Sequence, residues 1–387
     1  MYKIILLIDF AEEYSKGLLR GIARYSREHG PWIFCRMPLY QRETIGIKGI
    51  LEWALEWEAD GIIGQLYNDP QIDLIVNAGI PVIAQDFKER FTNLPNITGN
   101  HYEAGVMGAD YFLKKGFKNF AFYGFSDIVW SRERAEGFED TVKNAGHDVH
   151  YFEHRMSRTG ELWFYKPSSL SHWLKSLPKP IALMACDDNQ GQHITEACRH
   201  SGIRIPEEVA VLGVDNDEMI CEFSDPPLSS IGQDAEKGGY DTAKLLHQMM
   251  EKGTAQFYDV IVNPTQVITR QSTDIYATND DDIATSLKFI HQNIEKNLQV
   301  DDVVKQVPLS RRALEKRFQQ MTGLPVYKYI FNLRMEKFTT RLLETEMSVF
   351  EIAMDLGFTD SKNIARQFRL LKGCTPLEYR KRYRPGK

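Results

Sequence analysis

The chain reads as two parts: an α/β body with parallel sheets in two lobes, then an all-α domain built on tandem helix-turn-helix units. Three observations predict this. Over residues 1–274, short apolar segments alternate with helical ones, the pattern of strands buried on both faces of a parallel sheet. Toward the C-terminus, two short helix pairs recur about fifty residues apart. Charge divides in the same region. From residue 280 onward, 20 Lys and Arg face 14 Asp and Glu, a net of +6. The preceding 279 residues hold 27 against 39, a net of −12. An acidic body with a basic tail gives DNA an electrostatic reason to meet the tail alone.

A chain of 387 residues exceeds what one core supports, so two or three domains are expected. Hydrophobic content of 43% and charged content of 26% are ordinary for a globular, soluble protein. No apolar run has the length of a membrane span, so no membrane role is expected. The apolar stretch at residues 4–8 ends at Asp9 without a small-residue cleavage site, which suits a buried first strand better than a signal peptide. Five scattered cysteines and ten histidines show no metal-ligand spacing; the cysteines read as core residues of a reducing cytoplasm, and no cofactor is expected.

In chain order, strands are expected at 3–8, 61–65, 81–85, 97–98, 119–123, 149–152, 182–185 and 209–214. Helices are expected at 14–29, 71–78, 102–115, 131–144, 169–177, 190–201 and 235–251. Two lobes fit this length, with crossovers near 98–102, 230–234 and 260. Parallel sheets offer ligands the carboxyl ends of their strands, so the cleft between lobes is the expected site. Asp9, Asp187, Asp188 and the run Asp215-Asn216-Asp217 follow strand ends, and Trp130 and Arg134 stand at the start of a helix. Carboxylates, an arginine and aromatic rings are the chemistry of sugar recognition: hydrogen bonds to vicinal hydroxyls and a ring against the C–H face. Each has a local alternative: Asp188 as a helix N-cap, Asp215 as a cap after its strand, Arg134 as a surface helix residue.

The second helical unit opens at Ser348 with Glu351 three residues on, a capping box, and continues through Ile352, Ala353 and Leu356. Gly357 breaks it where a left-handed residue closes a tight turn. The next helix, 361–372, has Ile364, Phe368 and Leu371 on one face and Lys362, Asn363, Arg366, Gln367 and Arg369 on the other. The first unit runs through Val303, Val304 and Val307 to a turn at Pro308-Leu309, and Ser310 caps a helix with Leu314 and Phe318 inward. A long helix joins the units, its apolar stripe formed by Tyr329, Ile330, Leu333, Met335, Phe338, Leu342 and Leu343. Candidate DNA contacts are Arg311, Arg312, Glu315 and Lys316 in the first recognition helix, and Ser361, Lys362, Asn363, Ala365 and Arg366 in the second. Arg366 could instead pair with a carboxylate of its own domain.

Gly357-Phe358-Thr359-Asp360, Arg366, Phe368, Gly373, Thr375-Pro376 and Tyr379-Arg380 resemble the AraC-type regulator signature over about residues 283–384. Pro308 stands where that pattern has glycine, Phe338 where alanine is usual, and Asn363-Ile364 where an aromatic pair is common. An altered first-turn geometry is expected. Asp187-Asp188, the run from Ile205 to Asp215 and Leu228-Ser229-Ser230-Ile231 resemble the sugar sensor of LacI-type repressors, which share the periplasmic-binding-protein fold. Asn100 to Gly105 and Arg134 to Phe138 fit the same pattern.

That resemblance implies effector contacts at Asp9, Arg134, Asp187, Asp215 and Gln233; Tyr14 and Trp130 complete the candidate set. Asp187 replaces a frequent asparagine, exchanging a donor and acceptor for acceptors only. A LacI-like sensor at 1–274, a polar linker at 275–282 and an AraC-like domain at 283–387 together resemble the xylose operon regulator family. The resemblance implies a cytoplasmic homodimer that binds a double-stranded DNA operator and D-xylose and activates pentose genes. Arabinose, ribose or a hexose as effector, and repression in place of activation, remain open. A sugar-binding protein or a sugar-modifying enzyme is the rival class. Neither accounts for the basic tail, and no nucleophile motif, metal set or phosphate loop marks a catalytic site.

Overall fold

The computed structural model describes all residues except 38, 67–70, 155–166, 253–257, 276–279, 297, 359–360 and 384–387. The chain folds as two compact units, residues 1–113 with 117–273, and residues 114–116 with 274–387.

The first unit holds twelve strands among the described residues. In chain order they are β1 (Lys3–Leu7), β2 (Ile33–Arg36), β3 (Gly61–Gln65), β4 (Val82–Gln85), β5 (Asn96–Gly99), β6 (Phe120–Phe125), β7 (Val149–His154), β8 (Ile181–Ala185), β9 (Val209–Val214), β10 (Ser229–Gln233), β11 (Val260–Val262) and β12 (Pro264–Ile268). One lobe is a parallel sheet in the order β11-β5-β4-β3-β1-β2. The second follows β12-β10-β9-β8-β6-β7 and is parallel except for β12. The first strand shows why such segments read as unbroken apolar runs. Ile4, Leu6 and Ile8 pack one face against Leu18 and Leu246, while Ile5 and Leu7 pack the other against Ile47 and Ile50.

The chain passes between lobes three times, after β5, after β10 and between β11 and β12, near the expected positions. The crossings lie side by side: Asn100 N donates to Val262 O at 2.7 Å and Asp234 N to Asn263 O at 3.0 Å. Four strands (β2, β10, β11, β12) and the helices Leu39–Glu56 and Glu218–Phe223 are additions to the sequence reading. In the second lobe, helices His101–Lys114 and Val129–Asn144 touch backbone to backbone. A Cβ on Gly137 would lie 2.0 Å from Tyr102 O, and one on Gly105 would lie 2.1 Å from Arg134 O. That close approach seats Arg134.

The second unit is helical: Asp281–Asn293, Val300–Val304, Arg311–Thr322, Val326–Glu344, Val349–Asp355, Ser361–Lys372 and Pro376–Tyr383. It has two cores. Leu314, Phe318, Val326 and Ile330 close one; Phe338, Leu342, Ile352, Ile364 and Phe368 close the other, so the long helix Val326–Glu344 serves both. Phe338 is fully buried, its ring 5.7 Å from Phe368 and 6.5 Å from Phe358, so an aromatic cluster fills the place of the small residue. Ser348 and Glu351 form the expected capping box, and Ser310 accepts from Ala313 N. Gly357 is left-handed at φ +71°, whereas no residue of the first turn, Lys305–Ser310, has positive φ. Pro308 therefore sits in a turn closed without a left-handed residue.

Candidate functional site

A cavity of about 460 Å³ opens between the two lobes at the carboxyl ends of their strands, the position expected for a small ligand. Asp9, Tyr14, Trp130, Arg134, Asp187 and Asp215 line it, along with Glu12, Gln65, Gln85, Asp86, Phe87, His101, Asp188 and Asp217. Gln233 does not: it ends β10 at the second crossing, outside the lining, with both amide atoms buried and without a partner among the described residues.

The second-lobe wall is a connected network. Arg134 is 3% exposed and donates to Cys186 O at 2.5 Å and to Asp215 Oδ1 at 3.1 Å. Its guanidinium lies 5.1 Å from the centre of the Trp130 ring. It is no surface residue. Asp187, not Asp188, is the N-cap of Asp188–Ser201, accepting from Gln190 N at 2.7 Å. Asp188 braces the floor: it accepts from Asp217 N at 2.7 Å and from Ser230 Oγ at 2.5 Å. Asp215 and Asn216 have φ of +100° and +52°, a conformation non-glycine residues rarely hold without tertiary reason. The bend points Asp215 at Arg134 and lets Asp217 cap helix Glu218–Phe223 through Met219 N and Ile220 N.

On the first-lobe wall Thr98 holds Asp86, while Asp9 and Tyr14 are less bound. Asp9 Oδ1 accepts from Ala11 N at 2.9 Å, and the buried hydroxyl of Tyr14 has no partner among the described residues. Solvent still reaches Glu12. Even so, crowding in the cleft and the carboxylates of Asp215, Asp9, Asp187 and Asp217 push its carboxyl up to about 7. Burial likewise raises Asp187 to about 6, opposed by the Gln190 N–H, and pushes Asp188 and the Tyr14 hydroxyl well up. Burial lowers His101 despite the neighbouring Asp86. A cavity rich in acceptors, whose arginine is already paired, favours neutral donors such as sugar hydroxyls and repels anions. Among the described residues no three His, Cys, Asp or Glu are grouped to hold a metal.

The residues missed from sequence were reachable. Gln65 and Gln85 end β3 and β4, and Asp86 follows β4, so the strand-end rule that selected Asp9 applies to them too. His101 follows β5 by two residues, as Asp187 follows β8, so the same rule reaches it where the chain crosses between lobes.

In the helical unit, Arg312 and Lys316 are exposed on Arg311–Thr322, and Arg311 is exposed and paired with Asp301 at 2.9 Å. Glu315, expected to face the groove, accepts instead from Val326 N at 3.1 Å, starting the next helix. Arg317 pairs with Asp280 and Asp282 at the start of the unit. In the last recognition helix Ala365 is half-buried and Arg366 exposed, and no described carboxylate pairs with Arg366. The side chains of Ser361, Lys362 and Asn363 lie outside the described residues. Much of the C-terminal signature is structural. Thr375 and Glu378 cap Pro376–Tyr383 reciprocally, and Arg380 donates to Leu342 O and Met347 O. No helix among the described residues is long and apolar enough to cross a membrane.

Two family models match: a periplasmic binding protein-like domain over residues 109–273 and a helix-turn-helix domain over 303–382. The xylose operon regulatory protein of Escherichia coli K12 is 27% identical, covering 98% of this chain and 97% of its own. Its Haemophilus influenzae namesake is also 27% identical, over 98% of each chain. Among solved structures, that of a xylose-binding transcription activator, xylR, aligns with a TM-score of 0.60 and 26% identity over 98% of both chains. A periplasmic binding protein/LacI regulator from Alkaliphilus metalliredigens, complexed with D-xylulofuranose, covers 70% of this chain at 21% identity and a TM-score of 0.57, a likeness of fold. The chain therefore joins a periplasmic binding protein-like domain to a helix-turn-helix domain, and over its full length it is similar to xylose operon regulatory proteins.

Proposed function

We propose that the chain is a D-xylose-dependent activator of pentose uptake and catabolism genes, acting in the cytoplasm as a homodimer on a two-half-site operator. The carrying observation is the cavity wall itself. Asp215, Asp187 and Asp9 converge at the strand ends and offer acceptors to vicinal hydroxyls, with Arg134 holding Asp215 in place and Trp130 beside them. Xylose as the sugar is supported by the full-length similarity to xylose regulators. On this reading Gln233 stays a candidate contact, its amide, without a partner among the described residues, reaching the effector only through a local shift. The domain limits we adopt are a sensor at 1–274, a linker at 275–282 and a DNA reader at 283–387, with Arg312, Lys316 and Arg366 as its foremost described DNA contacts. Sugar closing the cleft shifts a dimer equilibrium by its differential affinity for the two lobe arrangements.

The test is the melting temperature of the full-length protein with a panel of pentoses and hexoses at millimolar concentration. A selective rise with D-xylose, lost in Asp215→Ala, is the expected result. A rise with another sugar moves the specificity; no rise with any sugar removes the cavity assignment. Footprinting with and without the sugar then separates activator from repressor.

A further inference from the structure

One edge of the cavity is closed by a seam of charges that lie outside its lining. The loop after β4 belongs to the first lobe, and the start of helix Val129–Asn144 to the second. Phe87 O accepts from Val129 N at 3.1 Å across this gap. Lys88 faces Asp127 at 3.5 Å, Glu89 meets Arg132 at 2.7 Å, and Arg90 clasps Glu133 with both terminal nitrogens at 2.5 and 2.6 Å. Cavity and seam residues are adjacent on both sides of this gap. Asp86 and Phe87 line the cavity and lead into residues 88–90, while Trp130 and Arg134 line it on either side of Arg132 and Glu133.

Arg90 joins the seam to the cavity floor. Its Nε donates to Thr98 Oγ1 at 3.0 Å, and Thr98 Oγ1 donates to Asp86 Oδ2 at 2.5 Å. Asp86 is 5% exposed and stands 3.5 Å from the buried ring of His101, which also lines the cavity. One guanidinium thus holds Glu133 of the second lobe and the polar floor of the first.

We infer that Arg90 is a positioning residue that converts effector occupancy into lobe closure, through its pair with Glu133 and the relay Thr98–Asp86–His101. This rests on the cavity being the sugar site. Opening the cleft must break the three ion pairs and the Phe87–Val129 bond together, so the seam stabilises only the closed state, and an effector that favours closure draws on it.

The consequence is unusual for an uncharged ligand. A neutral sugar has no direct salt dependence. Screening of the crowded cavity carboxylates would, if anything, tighten its binding as salt rises. Closure that forms half-buried ion pairs has the opposite sign. The experiment is calorimetric titration of the full-length protein with D-xylose, or the sugar the melting panel selects, at about 50 and 500 mM NaCl. Wild-type affinity is expected to fall roughly threefold at the higher salt. Glu133→Gln is expected to bind about fivefold more weakly at low salt and to lose a substantial part of the salt dependence, whereas a merely structural glutamate would leave that dependence intact. Should Glu133→Gln not fold, Glu89→Gln at the exposed neighbouring pair takes its place, with a partial loss of the same dependence. Wild-type affinity that rises with salt, or a variant that keeps the wild-type slope, overturns the inference while leaving the sugar site standing. Failure of the wild type to bind any sugar overturns the site and this inference together.

Discussion

The second lobe brings to the cavity a wall whose polar groups already hold one another: Arg134 on Asp215, Asp187 on its helix, Asp188 on Asp217 and Ser230. The first lobe brings a Tyr14 hydroxyl without a partner among the described residues, a glutamate whose carboxyl burial and the neighbouring carboxylates raise to about 7, and an aspartate capping a turn. The difference teaches a division of labour. A wall braced before ligand arrives loses little entropy on binding and acts as the template. A wall with loose or uncomfortable groups improves only when ligand hydroxyls arrive, so it supplies the incentive to close.

The strongest way to break this contrast is Arg134→Ala. Removing one partner of a buried pair leaves Asp215 uncompensated at a strained backbone position, and we expect a loss of about 3 kcal/mol in denaturant unfolding together with the sugar response. Near-wild-type stability would show the second wall to be less braced than drawn. Gly137→Ala comes next. Its Cβ would press on Tyr102 O and spread the two helices that seat Arg134, with an expected loss of about 2 kcal/mol in the same assay.

Tyr14→Phe sharpens the first-lobe side. Because the buried hydroxyl has no partner among the described residues, its removal should leave unliganded stability within about 0.5 kcal/mol of wild type, or raise it, while sugar affinity falls roughly tenfold. A large loss without ligand would reveal a partner for that hydroxyl.

The smallest effect is the pH dependence of Glu12. Its carboxyl lies at about 7 against an ordinary 4.5, so folding favours the protonated form. That contribution is complete below pH 4.5 and is lost as pH rises through 7. Glu12→Gln, a permanent mimic of the protonated acid, should therefore melt with wild type at about pH 4 and above it at about pH 8. Equal melting at the higher pH would mean that solvent in the cleft already relieves the carboxylate.

Strand periodicity found the interior of both sheets, because β1, β6, β8 and β9 are apolar on both faces and say so residue by residue. It missed β2, which is short and mostly exposed at a sheet edge, and β11, which is three residues long. β10 reads Ser229-Ser230-Ile231-Gly232-Gln233 and is buried all the same. Its serines are tolerated inside because Thr273, Arg270 O and Asp188 satisfy them, partners that are distant in sequence.

Sequence alone determined the order of the two units, the helix caps at Ser310 and Ser348, and the strand ends that carry Asp9, Asp187 and Asp215. These follow from local rules of periodicity, capping and charge that act within a few residues. Only the tertiary structure decided that Asp187 is the cap and Asp188 the brace, that Glu315 serves a helix start, that Gln233 lies outside the cavity lining, and that Arg90 spans the lobes. The contacts of Asp188, Glu315 and Arg90 depend on which groups converge across 11 to 43 residues of chain, as in Glu315 with Val326 and Arg90 with Glu133. A hydrogen bond or ion pair of that kind is set by packing, and a local pattern has no means to encode it.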